Sequence, residues 1–169
     1  MTAHPLIIRA AAYAKRAHGE QKRKYTGDPY FSHCLEVAYL VGSVRNTPEM
    51  IAAALLHDTV EDTPVDLGMI NREFGLEVGK LVYMLTDPSR PSDGNRAARK
   101  KIDREHYTHA TPEAKTIKCA DLISNTRSIV KYDPKFAKVY LREKRLLMPY
   151  LVGADMRLWE AANELANAS

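Results

Sequence analysis

Apolar residues recur with helical spacing along almost the whole chain, and no segment alternates polar and apolar residues over the length of a strand. Proline at a first helical position marks typical helix starts at Thr47-Pro48, Thr111-Pro112 and Asp133-Pro134. The pattern therefore predicts an all-α protein of eight or more short helices. At 169 residues, the chain is long enough to form one domain with a substantial core.

The caps and breakers give approximate bounds for these helices. The predicted segments cover about 5–18, 32–43, 48–63, 66–74, 77–85, 95–107 and 111–130, followed by one that opens at Asp133 and a last one after Asp155. Ser32 is the predicted cap of the second helix, and the third is expected to continue to the residue before Pro64. Residues 86–94 are rich in proline and glycine and are predicted to be a loop.

The composition is that of an ordinary globular protein, with 45% hydrophobic and 27% charged residues. No apolar run approaches the roughly 20 residues that a membrane span needs, and the first residues lack the pattern of a secretory signal. The two cysteines, Cys34 and Cys119, lie in apolar helical segments and are expected to be buried, reduced thiols. We therefore expect a cytoplasmic protein.

Positive charge is clustered along the chain. The net charge is +4, and the excess of lysine and arginine lies at 22–24, 96–101 and 142–145. Clustered cations attract phosphate groups. They are not accompanied by zinc-finger spacing, a basic zipper or an aromatic-glycine RNA motif. We therefore expect a small phosphorylated partner rather than nucleic acid or a membrane, and a homo-oligomer is left open.

The segment LLHDTVEDT, residues 55–63, carries four ionisable side chains within six residues. If one helix runs through it, His57 shares a face with Glu61, and Asp58 shares a face with Asp62, because residues four apart are neighbours on a helix. A hydrophobic core has no use for such a cluster. Such a cluster suits a metal ion with acid–base groups beside it. Glu61 and Asp62 are suited to deprotonate or orient a water molecule.

Two further residues complete a candidate metal site. His33 lies near the start of a predicted helix, and Asp121 lies in the apolar segment TIKCADLIS, where a bare buried carboxylate would be costly. Two imidazoles and two carboxylates suit divalent ions such as Mn²⁺, Fe²⁺ or Zn²⁺. This donor set predicts metal-assisted hydrolysis, and the basic clusters favour a phosphate ester as substrate.

The order His33, His57-Asp58, Asp121 resembles the H…HD…D signature of the HD-domain phosphohydrolases. The surrounding sequence resembles the hydrolase domain of the RelA/SpoT stringent-response enzymes in four segments: RKYTGDPYFSH (23–33), AALLHDTVEDT (53–63), FGLEVGKLVYMLTD (74–87) and KTIKCADLISN (115–125). The resemblance implies an HD-type helical bundle in one domain over 1–169, with its core at about 5–145 and C-terminal helices at 134–167 packing on it. It also implies a stand-alone small alarmone hydrolase.

The resemblance implies hydrolysis of the 3′-pyrophosphate of (p)ppGpp to pyrophosphate and GDP or GTP, usually with Mn²⁺. Residues that match the family's metal ligands are His33, His57, Asp58 and Asp121. Glu61 and Asp62 match its catalytic acidic pair. Residues that match or fall near its substrate contacts are Arg23 and Lys24 at the base, Asn125 in the nucleotide pocket, and Thr59, Arg96 and Tyr140.

One departure from the family leaves the base preference open. Leu122 follows Asp121, where the family often has lysine, so an adenine alarmone such as (p)ppApp is an alternative substrate. Two other readings also remain: an HD phosphohydrolase for another nucleotide, such as a 5′-nucleotidase or a triphosphohydrolase, and a non-enzymatic nucleotide-binding module. The remaining histidines are predicted to lie on the surface, and they are His4, His18, His106 and His109.

Overall fold

The computed structural model describes residues 4–168, which form α-helices joined by short turns and no β-strand. The prediction of an all-α fold is confirmed. The chain divides into two compact units, residues 1–86 and residues 87–169. Within residues 4–168, no helix has both the length and the apolar character needed to cross a membrane.

The first unit is built around a short, almost fully buried helix. Its helices are α1 (Pro5–His18), α2 (Phe31–Gly42), α3 (Pro48–Leu56), α4 (Thr59–Asp62), α5 (Leu67–Phe74) and α6 (Leu76–Leu85). Helix α3 packs against α1, α2 and α6. Ala52, Ala53 and Ala54 have no exposed surface, and their small side chains let three helices approach the same segment. The residues that follow α3 are thereby fixed in the interior of this unit.

The second unit has one long helix at its centre. Its helices are α7 (Arg96–His106), α8 (Pro112–Tyr132), α9 (Pro134–Leu147) and α10 (Met156–Asn167). Helix α8 packs against α9 and α10, and its side chains Ile117, Ile123 and Cys119 are buried. Cys34 in α2 is buried as well, so both cysteines are buried and neither forms a disulfide, as predicted.

The prediction that one helix runs from 48 to 63 is wrong. Helix α3 ends at Leu56, and α4 begins only at Thr59, so His57 and Asp58 lie at the junction rather than inside a helix. The hydroxyl of Thr59 donates to the carbonyl of Leu56 at 2.7 Å, and this side chain–backbone bond competes with helix continuation. The face-sharing argument therefore does not describe the cluster.

The start of the second helix was also predicted slightly wrongly. Helix α2 begins at Phe31 with Tyr30 as its cap residue, and Ser32 lies inside the first turn. The backbone N–H of Ser32 donates to the carbonyl of Pro29, and that of His33 donates to Tyr30. Helical turns therefore start two residues earlier than the side-chain cap predicted from the sequence.

A lysine between two aspartates links α7 to the start of the second unit. The ammonium group of Lys100 lies 2.7 Å from a carboxylate oxygen of Asp87 and 2.8 Å from one of Asp103. Burial acts to raise the pKa of Asp87, but the charges of Lys118 and Lys100 outweigh it and lower that pKa. By the same balance, burial acts to lower the pKa of Lys100, and its two carboxylate partners raise it.

We predict that Lys100→Met lowers the free energy of unfolding by about 2 kcal/mol at pH 7, because two half-buried or buried carboxylates lose their cation. An aspartate whose folded pKa is lowered contributes stability above its unfolded pKa, near 3.9, and that contribution is lost as the pH falls through the folded value. The difference between wild type and variant should therefore shrink between neutral pH and about pH 3. Urea unfolding at both pH values measures it.

The matched control is Lys101→Met. Lys101 pairs with Glu105 at 3.2 Å, and both side chains are exposed, so its removal should change the unfolding free energy by no more than about 0.5 kcal/mol. An equal loss in both variants, or a loss at Lys100 that does not change with pH, would contradict the assigned role of the buried cluster.

Candidate metal centre

His57 is the best-defined donor of the candidate site. It is 2% exposed and lies directly after α3. Its Nδ1 atom lies 2.8 Å from the carbonyl oxygen of Ala54, which can only accept a hydrogen bond, so Nδ1 carries the proton. In the neutral ring, Nε2 then presents its lone pair, which is the form that ligates a metal.

Three donors converge at this point of the first unit. Each of three residues offers one potential ligand atom, and these three atoms lie within 4.8 Å of one another; the residues are His33, His57 and Asp58. The Oδ2 atom of Asp58 is 3.0 Å from Nε2 of His57 and 3.5 Å from Nε2 of His33, which is 1% exposed. Three of the predicted ligands are therefore brought together by α2 and the α3–α4 junction.

This donor set fits a divalent cation. The proton on Nδ1 of His57 leaves a lone pair on Nε2 that lies 3.0 Å from a carboxylate oxygen of Asp58, and a cation bound to this donor set would offset the repulsion between the two groups. Two imidazole nitrogens with a carboxylate oxygen suit borderline-hard ions. A divalent cation held there would polarise a phosphoryl oxygen and acidify water.

Asp121 lies in the second unit, inside α8, and is 4% exposed. Lys118 Nζ lies 2.9 Å from Oδ2 of Asp121, and the side-chain amide of Asn125 donates to Oδ1 at 2.6 Å. Burial acts to lower the pKa of Lys118, but the charges of Asp121 and its neighbours raise it well above its usual value. The carboxylate is therefore buried and contacted at both oxygens, and its role as a fourth ligand stays a prediction.

The predicted catalytic pair lies on the short helix α4. Glu61 and Asp62 are both exposed, one turn beyond the metal donors. The side-chain amide of Gln21 donates to Oδ2 of Asp62 at 3.4 Å. Their side chains are thus accessible to water next to the cluster, which is what acid–base chemistry requires.

The predicted base contacts lie on the loop between α1 and α2. Arg23 Nη1 pairs with Glu36 of α2 at 3.1 Å, and the Arg23 side chain is 15% exposed. The Nζ atom of Lys24 lies 4.9 Å from the centre of the Tyr25 ring. The loop itself is closed by backbone bonds from Arg23 to Asp28 and from Tyr30 to Gln21, each 2.8 Å long.

The other predicted substrate contacts lie in different surroundings. Thr59 is fully buried, and its hydroxyl donates to the carbonyl of Leu56. In the second unit, Arg96 forms a two-point ion pair with Glu143 at 2.6 and 2.9 Å. Tyr140 is buried, and the Thr126 hydroxyl lies 3.5 Å from its hydroxyl. All three assignments stay predictions.

Three residues that lie around the candidate metal donors and their neighbours were not assigned to the site from the sequence. Tyr30 donates its hydroxyl to Asp58, Gln21 contacts Asp62, and His18 contacts both Tyr30 and Gln21. His18 is 4% exposed, so its predicted surface position is wrong. The signal available was weak: His18 continues the apolar face of α1 that includes Ala11 and Ala14.

Comparisons with known proteins agree with this architecture. A family model for the HD domain matches residues 10–145. Guanosine-3′,5′-bis(diphosphate) 3′-pyrophosphohydrolase MESH1 of Homo sapiens is 35% identical over 167 residues, which cover 94% of this chain and 92% of the human protein. Guanosine-3′,5′-bis(diphosphate) 3′-pyrophosphohydrolase of Aquifex aeolicus (strain VF5) is 34% identical over 160 residues, 94% of this chain and 23% of that protein.

A solved structure also resembles this chain closely. It is described as a metazoan ortholog of SpoT that hydrolyses ppGpp, and it matches with a TM-score of 0.87 at 25% sequence identity. The match covers 98% of this chain and 96% of the other. The predicted HD-type fold is confirmed, while the predicted core bounds of 5–145 stay a prediction. The chain belongs to the HD domain family and, within it, to the family of the MESH1 proteins.

Proposed function

We propose that this chain is a metal-dependent hydrolase of purine alarmones that removes the 3′-pyrophosphate of (p)ppGpp or its adenine equivalent. The observation that carries the proposal is the convergence of His33, His57 and Asp58 within 4.8 Å in an HD domain of the MESH1 type. The products are pyrophosphate and GDP or GTP, or the corresponding adenine nucleotides. Manganese is the proposed ion, and the cytoplasm is the proposed compartment.

We assign the metal to four donors. His33, His57 and Asp58 are supported by their geometry, and Asp121 by its place in the motif and by its burial. The hydrogen bond from His57 to Ala54 keeps that ring in one orientation and one tautomer. The Nε2 lone pair of His57 is thus directed at Asp58 by the protein's own contacts.

Glu61 and Asp62 are assigned to proton transfer. The oxygen of a water molecule forms a bond to the phosphorus that carries the 3′ oxygen, and the bond between that phosphorus and the 3′ oxygen breaks. One carboxylate accepts a proton from the water, and the other, in its protonated form, donates a proton to the departing 3′ oxygen. Both side chains are exposed beside the metal donors, where they can exchange protons with solvent between turnovers.

The remaining assignments concern the nucleotide. Arg23 pairs with Glu36, and we propose that a purine stacks on its guanidinium plane. Lys24 supplies a second cation on the same loop. Asn125 contacts Asp121, so we assign it to the pocket wall beside that carboxylate. Thr59, Arg96 and Tyr140 are retained as predicted contacts on the resemblance alone.

The proposed substrate class is tested by product release from purified protein with Mn²⁺. We expect pyrophosphate from ppGpp, from ppApp or from both, and little phosphate from deoxynucleoside triphosphates or mononucleotides. Turnover of ppGpp and ppApp side by side decides the base preference that Leu122 leaves open. Release of phosphate from mononucleotides or triphosphates in place of pyrophosphate from alarmones would favour another HD phosphohydrolase, and bound nucleotide without any turnover would favour a binding module.

The separation of metal binding from proton transfer gives a second prediction. Asp58→Asn should lose both Mn²⁺ binding and activity, because it removes a charged donor from the cluster. Glu61→Gln should keep Mn²⁺ and lower kcat by about 10² to 10⁴, the usual contribution of acid–base catalysis. Mn²⁺ titration and steady-state kinetics measure the two effects. Glu77→Gln, at an exposed position in α6, is the control, and full activity of Glu61→Gln would remove its assigned role.

The base contact gives a third prediction. Arg23→Ala should raise KM by about tenfold, the effect of losing one cation–π contact, without changing Mn²⁺ affinity. Arg23→Lys, which keeps the charge but not the planar group, should give an intermediate KM. Arg16→Ala is the control, since Arg16 is exposed on α1. Unchanged KM in Arg23→Ala would place the base pocket elsewhere.

A further inference from the structure

A tyrosine outside the predicted site holds one of the metal donors. The hydroxyl of Tyr30 donates to Oδ2 of Asp58 at 2.6 Å, a length typical of a strong hydrogen bond to a charged acceptor. The same oxygen lies next to the histidine nitrogens of the cluster. Tyr30 therefore contacts the very atom through which Asp58 joins the candidate metal centre.

Tyr30 is itself fixed by its surroundings. Its backbone N–H donates to the carbonyl of Gln21 at 2.8 Å, and residues Lys22 and Pro29 form a β-bridge across the same loop. Its ring lies 4.8 Å from the ring of the buried His18 and 5.5 Å from that of His33. The hydroxyl is thus presented to Asp58 from a closed loop rather than from a mobile side chain.

Asp58 needs such a partner. It lies at the junction between two helices, and its side chain is 19% exposed, so solvent competes for its oxygens. A freely rotating carboxylate would spread its lone pairs over several orientations. A hydrogen bond from a fixed donor selects one of them, and partners of this kind around metal ligands commonly change metal affinity or activity by about 10- to 100-fold.

We infer that Tyr30 is a positioning residue that orients the carboxylate of Asp58 toward a divalent cation. The inference rests on the metal site of the proposed function but not on the identity of the substrate. Two hydrogen bonds nearby support a positioning role for this region. His18 Nδ1 lies 2.8 Å from the side-chain oxygen of Gln21, and the side-chain amide of Gln21 donates to Asp62 at 3.4 Å. One loop thus orders a metal donor and a predicted catalytic carboxylate.

The test is Tyr30→Phe in the full chain, because phenylalanine keeps the ring contacts with His18 and His33 and removes only the hydroxyl. We expect Mn²⁺ affinity, measured by calorimetric titration without nucleotide, to fall by about 10- to 100-fold. We expect excess Mn²⁺ to restore most of the kcat, because Asp58 is still present. Melting of the metal-free protein should change little. Tyr39→Phe, at a residue that is 79% exposed on α2, should leave all three quantities unchanged.

The outcomes separate this inference from the proposed function. Wild-type Mn²⁺ affinity in Tyr30→Phe overturns it, and so does a kcat that stays low at saturating Mn²⁺, which would make the hydroxyl part of the reaction itself. A wild-type protein that binds no Mn²⁺ overturns the inference together with the metal site. A wild type that binds Mn²⁺ but hydrolyses no alarmone refutes only the proposed function, and the affinity loss in the variant would still support the role of Tyr30.

Discussion

The break in helical structure after Leu56 is the constraint on which the candidate site depends. The last residues of helix α3 lie in the interior of the first unit. The hydroxyl of Thr59 donates to the carbonyl of Leu56, and this bond competes with continuation of the helix. His57 then turns its Nδ1 back to Ala54 and its Nε2 toward Asp58. The bond to Ala54 fixes the tautomer of the ring in this position.

Both predicted ligand carboxylates, Asp58 and Asp121, need hydrogen-bond donors in place of water, and the donors come from different parts of the chain in the two cases. Ionised carboxylates withdrawn from water need donors that replace their hydration. Asp58, at a helix junction, receives a donor from a distant loop through Tyr30. Asp121, in mid-helix, receives its donors from its own helix, three residues before and four residues after it. Sequence position therefore decides whether the supporting residue is local or remote.

This difference explains what the sequence could and could not predict. Helical periodicity and proline positions located nearly every helix, and the HD signature located the three side chains that converge, His33, His57 and Asp58. The bond from Asn125 to Asp121 follows from an i, i+4 spacing, although the prediction placed Asn125 against the nucleotide. The contact of Tyr30 with Asp58 spans 28 residues and has no periodic signal. The buried position of His18 had only a weak signal, its spacing from Ala11 and Ala14, and a single histidine at a helix end is easily taken for a surface residue.

The closed loop between α1 and α2 carries residues with two distinct assignments. Arg23, assigned to the nucleotide, and Tyr30, which touches the cation donor, are joined through the short backbone ladder of that loop. Because the same ladder holds both residues, a change that opens this loop would disturb the arginine and the phenol together. Under the proposed function, such a change would weaken nucleotide binding and ion binding at the same time.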